Sequence, residues 1–159
     1  LDSTIRMYHD PVIWNDSSQI TGDTIYLTLK NDKLDSLKVY SNAFIINQID
    51  DIKYNQIMGR KMFGKFADNK IHRVFVNGNG QTIYFPKDKD EGFIGMNRAV
   101  CSNIIIKFKD NDVSAITFLT KPEAKLHPMR EASGPNSKLE GFRPRYDERP
   151  NSKAEILIW

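Results

Sequence analysis

An all-β fold, an elongated repeat of stacked β-hairpins followed by a Pro-rich irregular C-terminal tail, is what this sequence predicts. Three observations carry the prediction. Apolar and polar residues alternate in short runs bounded by Asn, Asp and Gly, the period-2 signal of half-buried strands joined by tight turns. One such unit recurs along the chain at a spacing of about forty residues, as expected where each hairpin buries its apolar face by stacking on the next. No segment before residue 120 shows the 3.6-residue period of an amphipathic helix.

The elements follow in order. Thr4 to Trp14 reads as a strand interrupted at His9-Asp10-Pro11, where proline removes a ladder donor and an edge or bulge is expected. Asn15 to Ser18 is a turn. Ile20 to Ile46 is the clearest unit. Ile25, Leu27 and Leu29 share one strand face, and Asn31-Asp32-Lys33 turns the chain because Asn and Asp tolerate left-handed backbone. Leu37 and Val39 resume the face on the return strand, and Ser41-Asn42-Ala43 interrupts it before Phe44-Ile45-Ile46. Gln48 to Asn55 is a polar connection. Aligning Leu34 with Ile71, an offset of 37 (71 − 34), superimposes Gly22 on Gly59, Lys33 on Lys70, Leu37 on Val74, Val39 on Val76 and Asn42 on Asn79. Gln81 to Phe85 is a short strand closed by Pro86, and Lys87 to Gly92 is a charged loop. A looser third copy contains Ile104, Ile106 and Phe108, the turn Asp110-Asn111-Asp112, then Val113, Ile116 and Phe118, at an offset of 42 (113 − 71). Lys121-Pro122 takes the place of Asn79-Gly80.

These repeats define a β-repeat domain over residues 1–121, made of three related units with the first truncated, and a C-terminal extension over 122–159. Ile5 to Val12 resembles the second half of a unit whose first half is missing, and the chain opens at Leu1 without Met, so a longer precursor is expected. Five of the seven prolines (Pro122, Pro128, Pro135, Pro144, Pro150) lie in the extension, which is expected to have little regular structure. Ser152 and Glu155 form a capping-box pattern for a short helix. Phe142, Tyr146 and Trp159, with the arginines between Phe142 and Pro150, are expected to anchor the tail on the β body.

Composition excludes several classes. At 159 residues and 40% hydrophobic the chain suffices for one domain with a core. The net charge of +3 arises from 23 basic and 20 acidic residues spread along the chain, so no nucleic-acid partner is expected. A single cysteine, Cys101, excludes an internal disulfide framework and a Cys-based metal site. No apolar run approaches the roughly 18 to 20 residues that a membrane-spanning helix needs. His9, His72 and His127 lie about sixty residues apart without partners at ligand spacing. Gly78-Asn79-Gly80 begins like a dinucleotide fingerprint, but Ile83 stands where the third glycine belongs and a strand follows. Asp88 to Gly92 lacks the sixth-position Gly and twelfth-position Glu of a calcium loop. With no acid/base pair or nucleophile constellation, neither an enzyme nor a cofactor is expected.

The units of the type Thr21-Gly22-Asp23-Thr24, Asp32-Lys33-Leu34, Val39 and Asn42-Ala43, repeated as Gly59-Arg60 and Asn69-Lys70-Ile71, resemble the LptA/OstA-like proteins of lipopolysaccharide transport. The resemblance is closest to the OstA-like branch of Bacteroidetes-type bacteria, which also shares a segment like Gly141-Phe142 and Asp147-Glu148-Arg149-Pro150. It implies an open β-jelly-roll or β-taco, located in the periplasm or at the outer membrane, whose interior binds the acyl chains of lipopolysaccharide or another envelope lipid. It also implies partners among other Lpt-type envelope proteins, or further copies of the chain stacked through edge strands. The inward apolar face is expected to comprise Ile25, Leu27, Leu29, Leu37, Val39, Val74, Val76, Ile104, Ile106, Phe108, Ile116 and Phe118. Such a face suits a lipid groove and a closed core equally. The alternative function is a structural or protein-interaction β module of the envelope without a lipid ligand.

Overall fold

The computed structural model describes residues 2–157. Ten antiparallel strands form one sheet that does not close on itself: β1 (Asp2–Tyr8), β2 (Val12–Asn15), β3 (Ser18–Thr21), β4 (Thr24–Lys30), β5 (Lys33–Gln48), β6 (Tyr54–Ala67), β7 (Lys70–Tyr84), β8 (Met96–Lys109), β9 (Asp112–Phe118) and β10 (Glu123–His127). No α-helix occurs among the described residues. The tight turns are where Asn and Asp placed them. Asn31-Asp32, Asp68-Asn69 and Asp110-Asn111 all have positive φ. Left-handed backbone at both central residues gives the turn a twist that matches the flanking strands.

A line of corners crosses the sheet. The register slips between Tyr40 and Ala43 on β5, between Met58 and Lys61 on β6, and between Asn77 and Gly80 on β7. Ser41, Asn42, Gly78 and Asn79 have positive φ there, as do His9 and Asp10 between β1 and β2 and Lys121 between β9 and β10. The strand expected at Gln81–Phe85 is therefore the far arm of β7, continuous with it through the bulge. Two glycines let the corner close. A Cβ on Gly22 would overlap Val39 Cγ1, and one on Gly59 would overlap Val76 Cγ1 in the same way.

The corners divide the sheet into two leaves. Leaf A consists of β1, β4, β9 and the arms of β5 to β8 that run to the Asn/Asp turns; leaf B consists of β2, β3, β10 and the opposite arms. Their inner faces share one apolar cluster, in which Ile25, Val39, Val76 and Ile104 of leaf A pack with Ile20, Ile45 and Ile57 of leaf B. Burying each such side chain contributes about 1.5–3 kcal/mol.

Residues after Thr120 are more ordered than their composition suggests. Glu123–His127 is β10, paired with β8 from Val100 to Met96, so the sheet extends six residues past the boundary expected at 121. Beyond it the chain forms short 3-10 turns and crosses the outer face of leaf B. The Ser152/Glu155 signal gives one 3-10 turn, Glu155–Leu157, with the Glu155 amide donating to Ser152 Oγ at 3.4 Å and the Asn151 amide to Glu155 Oε2 at 2.8 Å. Trp159 lies outside the described residues.

Candidate functional site

Period-2 alternation in register across seven strands produces continuous rows on the inner face of leaf A. One row runs Met7–Ile25–Val39–Met62–Val76–Ile104–Phe118, and the next runs Ile5–Leu27–Leu37–Gly64–Val74–Ile106–Ile116. A third level pairs Leu29 with Leu34, Phe66 with Ile71 and Phe108 with Val113. The facing row of leaf B is Ile13–Ile20–Ile45–Ile57–Thr82–Ala99–Ala124.

All twelve residues assigned to the inward face lie on these three levels. Ile25, Leu37, Val39, Val74, Val76, Ile104, Ile106 and Phe108 are buried, whereas Leu27, Leu29, Ile116 and Phe118 are half-buried. In the middle of the sheet the leaves meet side chain to side chain. Toward the edges the rows become more accessible: Ile5 on β1 is 49% exposed, Ile116 and Phe118 on β9 are half-buried, and Ala124 on β10 is exposed. The outermost strands, β1 and β2 at one edge and β9 and β10 at the other, each pair on one side.

A polar clasp closes the mouth opposite the corners. The Asn15 amide donates to the Asn69 carbonyl at 3.1 Å, and Asn15 Oδ1 accepts the Ile71 N–H at 3.2 Å. Asn47, fully buried, donates to Ser17 Oγ, Ser18 Oγ and the Asn111 carbonyl at 3.0–3.1 Å, while its own oxygen accepts from Asn55. The clasp thus ties leaf B to two hairpin turns of leaf A.

The outer face of leaf B carries the tail. Gln19, Gln56 and Arg98 stand in one cross-strand row, Trp14–Gln19–Ile46–Gln56–Ile83–Arg98–Lys125. Gln56 donates to the Ser137 carbonyl at 2.7 Å and accepts the Leu139 N–H at 2.8 Å. Gln19 donates to the Arg143 carbonyl at 2.9 Å and accepts the Arg145 N–H at 2.6 Å. Arg98 donates to the Asn136 carbonyl at 3.0 Å. Leu139, Phe142 and Tyr146 pack on Phe44, Ile46 and Ile83. The Tyr146 hydroxyl lies 2.9 Å from the Ser17 carbonyl, and burial pushes its pKa well above the usual tyrosine range. The buried Arg145 guanidinium bonds Glu148 through Nε at 2.8 Å and holds that carboxyl below its ordinary value. The expected anchoring by Phe142, Tyr146 and arginines is what the structure shows. The glutamines were missed, although their offset of 37 (56 − 19) and the offset of 42 to Arg98 (98 − 56) are those of the repeat.

The residues searched for reactive chemistry do not converge. Cys101 is buried, with Sγ 3.0 Å from the Thr120 carbonyl. His9 lies at the corner, His72 in a bulge of β7 and His127 at the end of β10. Among the described residues no three His, Cys, Asp or Glu side chains gather as a metal site. Comparison of the chain with family models, with curated proteins and with solved structures finds no match.

Proposed function

We propose that the protein is a non-enzymatic module of a bacterial envelope that shelters the acyl chains of lipopolysaccharide or a related envelope lipid between its two leaves. In this reading the folded sheet is an open β-jelly-roll, or taco, built from stacked hairpin units. It works in the periplasm or against the outer membrane. One observation supports it above others: the inner apolar rows run from edge to edge, reaching the surface at Ile5 on β1 and staying only half-buried at Ile116 and Phe118 on β9. An apolar seam that reaches an open edge can continue into a neighbouring module, and the one-sided edge strands offer unpaired backbone for adding similar modules or other envelope proteins.

The clasp favours a second reading, a structural or interaction module without lipid. With Asn15 and Asn47 bonded across the mouth, the central leaves pack on each other alone. Carrying lipid requires the mouth to part. Photo-crosslinking groups placed at Leu27 and Ile116, together with an Asn15→Cys/Asn69→Cys pair that locks the mouth when oxidised, separate the two readings. The lipid reading expects adducts with lipid A in the reduced protein, lost on oxidation and regained on reduction. Folded protein that yields no adduct in either state overturns it and leaves the interaction module.

A further inference from the structure

We propose that the outer face of leaf A is a docking surface for a bilayer carrying anionic headgroups. Charges that are spread along the sequence are gathered here by strand register. Three cross-strand rows cover this face, those of Tyr40 and Lys61, of Lys38 and Phe63, and of Lys65 and Arg73. They contain the exposed cations Arg6, Lys38, Lys61, Lys65, Arg73 and Lys107 and not one carboxylate. The nearest strand carboxylate, Asp35, sits in the bulge of β5 and pairs with Lys65 at 3.1 Å, which holds its pKa below the ordinary value.

Aromatic rings are interleaved with the cations. Tyr8, Tyr26 and Tyr40 form an edge-to-face series with centroids 6.4 and 5.4 Å apart, and Phe63 pairs directly with Phe75 across the strands. Rings and long basic side chains on one exposed face match the polar-apolar boundary of a membrane, where rings enter the headgroup layer and cations reach the phosphates.

Two features select a bilayer over other polyanions. The cations span five strand spacings from β1 to β8, about 24 Å, around one depression of about 350 Å³ at Tyr40, Lys61, Phe63 and Phe75. That is a broad face rather than a pocket for one phosphate. Three of the five rings are also covered by their own cations, Arg6 over Tyr26 at 5.3 Å, Lys61 over Tyr40 at 5.8 Å and Lys65 over Phe63 at 5.5 Å, which leaves few open platforms on which nucleobases could stack.

Vesicle flotation tests the assignment. The full chain is expected to float with vesicles of phosphatidylcholine containing about 30% phosphatidylglycerol, not with phosphatidylcholine alone, and to be released as salt shortens the Debye length. Lys38→Glu/Lys61→Glu/Lys107→Glu should raise the half-saturating lipid concentration at least about 30-fold, given roughly one kcal/mol per interfacial cation. Phe63→Ala should raise it a few-fold, and both variants should melt like the parent. Should the triple variant fail to fold, Lys107→Gln alone should still raise it several-fold. Flotation that ignores headgroup charge, no flotation, an unmoved charge variant, or tighter binding to single-stranded oligothymidylate than to the anionic vesicles each overturn the proposal. None of these readouts depends on lipid entering between the leaves.

Discussion

Strands β5 to β8 contribute to both outer faces, one on each side of the corner, and the two faces are built to opposite specifications. On leaf B the outward positions are Phe44, Ile46, Ile83 and Met96 with buried glutamines between them, and the tail covers them. On leaf A the outward positions are lysines, arginines and half-exposed rings, and no described segment covers them. The alternation of each strand is constant; the partner of its outward face is not. Leaf B shows that an outward apolar row needs a strap whose backbone is itself satisfied, which Gln19 and Gln56 supply. Leaf A shows the same strands left to solvent once cations replace the aliphatic side chains.

The comparison can be pressed at several points. Ending the chain after Ser133 uncovers the leaf B row, and because Leu139, Phe142 and Tyr146 each bury about 1.5–3 kcal/mol of apolar surface, thermal melting should show a loss of several kcal/mol with new binding of a hydrophobic dye. A truncated chain that melts like the parent removes the strap from the account of stability. Gln56→Ala leaves the Ser137 carbonyl and the Leu139 N–H without their partner, and denaturant titration should register about 1–3 kcal/mol. Lys61→Gln on leaf A, by contrast, should stay within about 0.5 kcal/mol in the same titration, and a larger loss would show that the basic face is structural.

Acid gives a finer test. The Glu148 carboxyl is held below its ordinary value by Arg145, so its contribution is present above the unfolded value of 4.5 and is lost as pH falls through the lower folded value. Melting temperature followed below about pH 4.5 should therefore fall more steeply for the parent than for Glu148→Gln. Equal slopes would separate this ion pair from the strap. A gain rather than a loss is expected in the interior. The Thr82 hydroxyl is buried between Ile57 and Ala99 without a hydrogen-bond partner, and Thr82→Val should gain about 1 kcal/mol on denaturant titration.

Much of this was legible in the chain. Alternation placed Ile25, Leu37, Val39, Val74 and Val76 on one face, and that face is buried. Asn31-Asp32 and Asp68-Asn69 marked turns because few other residues accept two successive left-handed conformations. What sequence could not supply was partnership across the sheet. Gln19, Gln56 and Arg98 look like ordinary surface polar residues until register sets them in a row beneath the tail. Asn15 read as a turn residue and Asn47 carried no signal at all, because their partners at Asn69 and Asn111 lie 54 and 64 residues away. β10 was obscured by Pro122 and Pro128, which flank it. The basic face was hidden because the acidic residues nearby in sequence sit in turns, as Asp32, Asp68 and Asp110 do, or in the β5 bulge, as Asp35 does.

The strap also imposes an order in time. Its contacts join residues more than 120 positions apart, Gln19 to Arg143 and Arg145, and Asp16 to Arg149. During synthesis from the N-terminus, Phe44 and Ile46 are therefore made long before Phe142 and Tyr146 exist to cover them. Until those residues are made the nascent sheet carries an uncovered apolar face, and contacts of such long range form late in folding. That face stays open until Leu139, Phe142 and Tyr146 have emerged, which makes the interval before them the one in which self-association competes with folding.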